Sequence, residues 1–368
     1  MTAVPPVSVP PASAPAVPST MEALVVVAPH RVEIRQVPTP VPGRNEVLAR
    51  VRAASICGTD LRLVNGEYPG MWPPSFPFTP GHEWAGEVVA LGPGADQLGF
   101  KVGDRVAGTA HDPCGYCQKC LEGRYNLCEN FGRQGLHRLY GHNYQGADAT
   151  YAVHGIRAVF KLPDEIGFEE GSLIDTASQA LHVVNRGNVR AGDTVAVLGA
   201  GGTGLLAADA ALARGAGRVI VLEPRPARRA KAAEMGFETV DPGAGDPVAA
   251  VREMTGGTGV DVSLECSGAP EAVRWGVDML RRGGRCAVFG LPGVDVPLPI
   301  SKMVSDELDL LCCRAAAGEM RHVMPLVATG KIRAKAVATH SFGLPEYEKA
   351  LATLADPASG AIKIIVLP

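Results

Sequence analysis

Seven residues of this chain have the types and spacings of metal ligands. Cys114, Cys117, Cys120 and Cys128 fall within fifteen residues, although the chain has nine cysteines in all. They read Cys-Gly-Tyr-Cys-Gln-Lys-Cys, then seven residues, then Cys. Thiolates two residues apart on a tight loop converge on one tetrahedral ion, and soft sulfur selects zinc or an iron–sulfur cluster. The competing reading is two disulfides or chance clustering; the absence of a secretory segment and the scatter of the other five cysteines weigh against it. A second, dispersed set is Cys57, in Ile56-Cys57-Gly58-Thr59-Asp60, with His82 and Glu83, in Gly81-His82-Glu83-Trp84-Ala85-Gly86. One thiolate, one imidazole and one carboxylate match a zinc site that keeps a position open for substrate. On spacing alone, a lone Cys and a lone His are more often core residues.

A third constellation is Gly199-Ala-Gly201-Gly202-Thr203-Gly204. It follows an apolar run and opens a helical one, the context in which such a turn cradles a dinucleotide pyrophosphate. Gly199 permits the sharp turn, Gly201 lets backbone approach the phosphates, and Gly204 allows close helix–strand packing. The helix N-terminus then offers free N–H groups and a positive dipole end. Glu223 lies 19 positions after Gly204. An acid there accepts bonds from the adenosine ribose hydroxyls and repels a 2′-phosphate, which favours NAD over NADP. Arg225 and Arg228 follow and pull the other way: either could cover adenine, and Arg225 could reach a 2′-phosphate. A solvated basic helix face is the plainer reading of both.

These residues need a scaffold. The chain has 368 residues, 46% of them hydrophobic, with a net charge of −3, which is comfortable for two soluble domains. That balance gives no reason to expect nucleic acid or an anionic membrane as partner. Residues 1–20 are Pro-, Ala- and Val-rich and read as a disordered or polyproline-like extension rather than a signal peptide. No segment has the roughly 20 uncharged apolar residues of a membrane span. A cytoplasmic, reducing location is expected. Ala23 to Val27, Glu46 to Ala53, Gly86 to Leu91 and Val102 to Ala107 read as short strands of a β-rich first domain. Strands at Thr194 to Leu198, Arg218 to Leu222, Val260 to Glu265, Gly284 to Gly290 and Leu308 to Cys312 alternate with helices at Leu205 to Arg214, Ala227 to Met235 and Glu271 to Leu280. This α/β alternation predicts a doubly wound parallel sheet. The strand-like Ala361 to Leu367 is expected to return to the first domain.

Taken in order, Cys57-Gly-Thr-Asp60, Gly81-His-Glu83 with Gly86 and Gly92, Gly103-Asp-Arg-Val106, the four-cysteine loop and the glycine turn carry a resemblance. The chain resembles the zinc-dependent medium-chain alcohol dehydrogenases, in the polyol and threonine dehydrogenase branch, from about Met21 to Pro368. The resemblance implies a GroES-like catalytic domain over 21–172 and a Rossmann coenzyme domain over 173–315. Residues 316–368 would return to the catalytic part. It implies Cys57 and His82 as catalytic zinc ligands and Glu83 as ligand or adjacent carboxylate. Asp175, in Leu173-Ile174-Asp175-Thr176, stands at the fourth ligand place, as contact to metal or to substrate; a helix N-cap is its plainer reading. Cys114, Cys117, Cys120 and Cys128 would hold a structural zinc, giving two zinc ions per chain. Thr59 matches the hydroxyl that takes the alcohol proton. The implied reaction exchanges hydride between NAD and a secondary alcohol or ketone: a polyol, cyclitol, sugar-like or amino alcohol. A homodimer or homotetramer is usual.

Arg62 departs from the pattern, standing where relatives often carry a relay histidine. It is expected to face cofactor or an anionic substrate group, since Arg cannot act as a free base. Lys363 matches a basic position that neutralises pyrophosphate, or else is a surface lysine. Trp72 and Trp84 could line the cleft, with core as the plainer reading. His137, Arg138 and His142 are expected as exposed loop residues, Cys266 as a small buried hydrophobe, and Cys286, Cys312 and Cys313 as structural. The alternatives are a zinc-ribbon binding protein without catalysis and an NADPH-dependent aldehyde reductase.

Overall fold

The computed structural model describes residues 17–68, 71–73 and 75–368. Most of the proline-rich extension lies outside the described residues; its last member, Thr20, already begins a strand, and Ser19 accepts a bond from the Thr39 N–H at 3.0 Å.

Two sheets carry the site. The first runs Ala338–Gly343, Lys363–Leu367, Glu46–Ile56, Glu83–Leu91, Arg105–Gly108, Val159–Lys161, with Tyr151–Gly155 also paired to Glu46–Ile56. The register decides what meets at its edge. Ser55 lies opposite Glu83 on one side and Ile365 on the other. The end of one strand and the starts of its two neighbours therefore coincide, which brings Cys57, His82–Glu83 and Lys363 to one place. Register shifts between Leu48/Ala49 and Val51/Ala53 add the local twist that curls the sheet. The return to this sheet is made by strands Ala338–Gly343 and Lys363–Leu367. The preceding helix Glu319–Ala328 packs instead on helix Ile174–Arg186.

The second sheet has six parallel strands in the order Glu238–Val240, Arg218–Leu222, Thr194–Leu198, Val260–Glu265, Leu280–Val288, Asp309–Cys312. The order reverses direction between Thr194–Leu198 and Val260–Glu265, so a crevice opens at their carboxyl ends. The central strands Thr194–Leu198 and Arg218–Leu222 are buried and read, after their first residue, as apolar runs. Helix Gly202–Ala213 is buried almost all round. Leu205 and Leu206 are fully covered, each contributing about 1.5–3 kcal/mol by burial. One apolar cluster runs from Ala53, Ala85 and Ala107 of the first sheet through helix Ile174–Arg186 to Val195 and Val197 of the second. The two sheets thus share a core. No described helix is long and apolar enough to cross a membrane.

Candidate active site

The four-cysteine loop closes on itself. The Sγ atoms of Cys114, Cys117, Cys120 and Cys128 all lie within 4.8 Å of one another. Separations of 3.9 Å (Cys114–Cys120), 4.0 Å (Cys117–Cys128) and 3.6 Å (Cys128–Cys114) bracket the edge of about 3.8 Å expected for sulfurs at 2.3 Å from a tetrahedral zinc. The backbone N–H groups of Cys117 and Glu129 point at Cys114 and Cys117 Sγ, each at 3.4 Å, and support thiolate charge. No disulfide joins them. The donor set fits zinc.

Cys57, His82 and Glu83 form the second group within 4.8 Å. Cys57 caps helix Gly58–Val64, and its N–H donates to Asp60 Oδ2 at 2.8 Å. Asp60 Oδ1 stands 3.4 Å from His82 Nδ1, which turns Nε2 toward Glu83 Oε1, 4.0 Å away. This carboxylate–imidazole pairing orients a metal-binding histidine. Burial opposes charge on His82, but Asp60 and Cys57 outweigh it and hold the ring's pKa well above its ordinary value. The field that favours a proton there also favours a metal cation. Thr59 Oγ1 is buried and has no hydrogen-bond partner among the described residues, leaving a hydroxyl available beside the set. Asp175 stays outside the cluster and is not an N-cap: inside helix Ile174–Arg186, it accepts from Thr109 Oγ1 at 2.5 Å and Gln179 Nε2 at 2.7 Å. Burial raises its pKa, with the His82 charge opposing.

Several side chains sit elsewhere than their sequence indicated. Lys363 is neither on the surface nor free: it is buried, paired with Glu83, and 3.5 Å from the Ile56 carbonyl. Glu83 also accepts from Ser55 Oγ. Burial works against its ionisation, yet Lys363 and His82 hold its pKa below the ordinary value. Arg62 already has a carboxylate, Glu67 at 2.9 Å, and lies over the Tyr68 ring. His137 and His142 are buried, not exposed: His137 packs beside His111 and Phe131, and His142 beside Trp72 and His82. Arg138 is paired with Asp112 and Glu46. Trp84 is core, donating from Nε1 to His154 Nε2 at 3.3 Å. Trp72 is not: its ring is 4.8 Å from His142, which is 4.7 Å from His82. Burial pushes His142 down to about 4, so it is neutral at pH 7, with Nδ1 held by the Tyr140 carbonyl at 3.1 Å. Tyr68, Trp72 and His142 make an aromatic wall beside the metal set. Asp148 was not legible as a site residue. Buried against Gly81, it accepts from Tyr347 Oη at 2.6 Å and braces the loop before His82.

The crevice of the second sheet is a cavity of about 480 Å³. Gly199, Gly201, Glu223 and Arg228 line it, together with Arg225, Cys266 and Trp275. Cys266 thus borders the cavity. Gly199 has φ +102°, and a Cβ on Gly204 would come 1.9 Å from the Gly199 oxygen. A Cβ on Gly201 would meet nothing nearer than Arg228 Nη1 at 3.9 Å, so backbone is open to a ligand there. Gly202 faces Lys363 and Thr203 lies in the first helical turn; neither lines the cavity. Glu223 accepts from the Ala200 and Arg225 N–H groups at 2.7 and 2.9 Å. Arg228 donates to the Ala361 carbonyl at 2.6 Å. The turn and acid fit a dinucleotide.

Residues 43–164 match the family model described as the alcohol dehydrogenase GroES-like domain, and residues 202–329 that of the zinc-binding dehydrogenases. A sorbitol dehydrogenase of Bacillus subtilis (strain 168) is 33% identical over 354 residues, 96% of this chain and 98% of that one. An L-threonine 3-dehydrogenase of Pyrococcus furiosus is 36% identical over 327 residues, 86% and 90% of the two chains. Among solved structures, 2R,3R-butanediol dehydrogenase from Bacillus subtilis superposes with a TM-score of 0.84 at 29% identity, covering 95% of this chain and 99% of that one. A zinc-binding dehydrogenase from Sinorhizobium meliloti 1021, bound to NADP, gives 0.87 at 32% identity, covering 95% and 100%. With both family models matched and a third of residues shared across nearly the full length, the chain belongs to the zinc-dependent medium-chain alcohol dehydrogenases.

Proposed function

We propose that the chain oxidises a secondary alcohol of a neutral polyol or cyclitol with NAD, and reduces the corresponding ketone. The observation that carries this is the position of Lys363. It pairs with Glu83 of the metal set, and its stem lies 3.0 Å from where a Cβ on Gly202 would be. The two constellations therefore sit one side chain apart. A zinc held by Cys57 and His82, with Glu83 or Asp175 completing the set, would supply Lewis acidity that lowers the pKa of a substrate hydroxyl. The chain's own residues do the rest. Asp60 fixes the His82 ring, Thr59 Oγ1 takes the alcohol proton, and Tyr68, Trp72 and His142 exclude water from one side.

Neutral polyols are favoured over amino alcohols because Asp60, Glu83 and Asp175 are all engaged by protein partners. An ammonium would need a free carboxylate. The relatives are named for both kinds of substrate, sorbitol and L-threonine, and do not decide between them. Arg62, tied to Glu67, gives no support to an anionic substrate group. A zinc-ribbon protein without catalysis leaves the glycine turn and the Cys57 set unexplained. NADP is a second reading, favoured by Arg225 in the same cavity as Glu223. The test is zinc-loaded protein with NAD or NADP against matched polyols and amino alcohols, read by reduced-nicotinamide absorbance. Silence across the panel with metal in place would sink the proposal. Preference for amino alcohols would overturn its substrate half.

A further inference from the structure

A second charged cavity opens away from the metal set. Its walls are the part of the four-cysteine lobe between Cys120 and Cys128, helix Ile174–Arg186 and the end of strand Asp309–Cys312 with the segment after it. It holds about 230 Å³, and Arg124, Arg186, Arg314 and His182 line it, with no carboxylate among the lining residues. Elsewhere in the chain, more buried arginines face acids, as Arg138, Arg285 and Arg333 do, whereas Arg124 and Arg314 are exposed and Arg186 is half-buried. Here the neighbouring acids are taken: Glu122 by Lys119 at 2.9 Å, and Glu319 by His182 Nδ1 at 2.8 Å and the Ala317 N–H at 2.6 Å. Among the described residues none of the three guanidinium groups has a carboxylate partner.

The cavity is tied together across its walls. Asn126 Nδ2 donates to the Arg314 carbonyl at 2.7 Å, and the Gly318 N–H donates to Tyr125 Oη at 2.6 Å. Arg314 rests on the Phe131 ring at 4.0 Å, and Arg186 Nη2 lies 3.4 Å from the Cys312 carbonyl. Three cations line one recess that holds no carboxylate, and with two of them exposed their mutual repulsion is screened by water. An oxyanion would match the planar, forked donors of arginine and the positive sign of the recess.

We propose that this recess binds a small oxyanion of the phosphate or phosphate-ester class. At about 230 Å³, against about 480 Å³ for the dinucleotide crevice, it suits a phosphate-bearing end rather than a nucleotide. Two sources share this chemistry: free phosphate acting as effector, or a phosphate ester at the far end of a substrate.

The experiment is calorimetric titration of inorganic phosphate into zinc-loaded protein at low ionic strength, with and without saturating NADH to block the glycine turn. Saturable binding that persists with NADH is expected. Arg186→Gln and Arg314→Gln should each weaken it at least tenfold, and Arg124→Gln should weaken it less. Should one variant fold poorly, the other two still report. No saturable binding, loss of binding with NADH, or wild-type affinity in all three variants would overturn the proposal. None of these readings depends on what the enzyme oxidises. Kinetics then separate the sources. Phosphate competing with a polyol whose terminal phosphate monoester has a lower KM marks a substrate end; a non-competitive effect on a neutral polyol marks an effector.

Discussion

Lys363 and Glu83 form a buried ion pair that joins the last strand of the catalytic sheet to the residue after His82. Glu83 is held on its other side by Ser55, so one carboxylate is fixed by three adjacent strands. The pair lies behind the metal set and touches the start of the dinucleotide helix.

Lys363→Met should therefore be costly. It leaves Glu83 charged, buried and unpaired, a change worth about 3–5 kcal/mol. Lys363→Arg keeps the charge and should lose much less. Urea unfolding of the three proteins checks this; equal midpoints for wild type and Lys363→Met would show that the pair does not hold the loop.

Thr59→Val removes the unpartnered hydroxyl while keeping shape. A group that moves a proton in the reaction typically contributes about 10²–10⁴-fold. The expected outcome is a kcat fall in that range with NAD affinity unchanged and an altered pH profile. A change confined to KM would assign Thr59 to binding alone.

Cys120→Ser opens the four-sulfur set without touching Cys57 or His82. Metal analysis should fall from two zinc ions per chain to one, with earlier unfolding and NADH binding retained. Loss of both ions would mean the two sites are coupled through the fold.

The acid response should carry a signature of His154. Its ring is fully buried against Trp84 and Tyr140, and burial, aided by the Arg138 charge, pushes it down to about 3. In the unfolded chain it titrates near about 6.5. Between those values the unfolded chain binds a proton that the folded chain does not. The stability is fully present above about 6.5 and drains as pH falls toward about 3, by about 1.4 kcal/mol per pH unit for one group. His154→Gln keeps an acceptor for Trp84 and should flatten the stability–pH curve between about pH 4 and 6 by up to that slope. An unchanged slope would mean the histidine is charged in the folded protein.

Parallel strands were the most legible part of the fold. Thr194–Leu198 and Arg218–Leu222 have the bounds their apolar runs indicate, because burial on both faces leaves no polar interruption after the first residue; Val260–Glu265 keeps its bounds although Asp261, Ser263 and Glu265 alternate with its apolar residues. Leu280–Val288 was less so. It contains Arg281, Arg282, Gly283 and Gly284, which break the run, and reading it as Gly284 to Gly290 starts too late. The residues that converge in the two cysteine-bearing clusters were legible from residue type and motif, whereas Asp175, expected beside Cys57, stands outside its cluster. The supports of those clusters were not legible. Lys363 sits in an apolar strand where nothing local announces an acid 280 positions earlier. His142 is drawn inside by loop packing, which neither its neighbours nor its polarity encode. Arg62 looked like an anion contact only because Glu67, five residues on, could not be known to turn back toward it.

The pairing of Lys363–Leu367 beside Glu46–Ile56 has a consequence for biosynthesis. The strands of the coenzyme sheet all lie between Thr194 and Cys312, so a ribosome delivers them in one stretch. The metal pocket has no such luxury: its lysine emerges 280 residues after its glutamate. A nascent chain stalled before that point would carry Cys57, His82 and Glu83 with the supporting charge still untranslated, and premature termination there should yield protein able to grip nucleotide but poor at retaining its reactive ion.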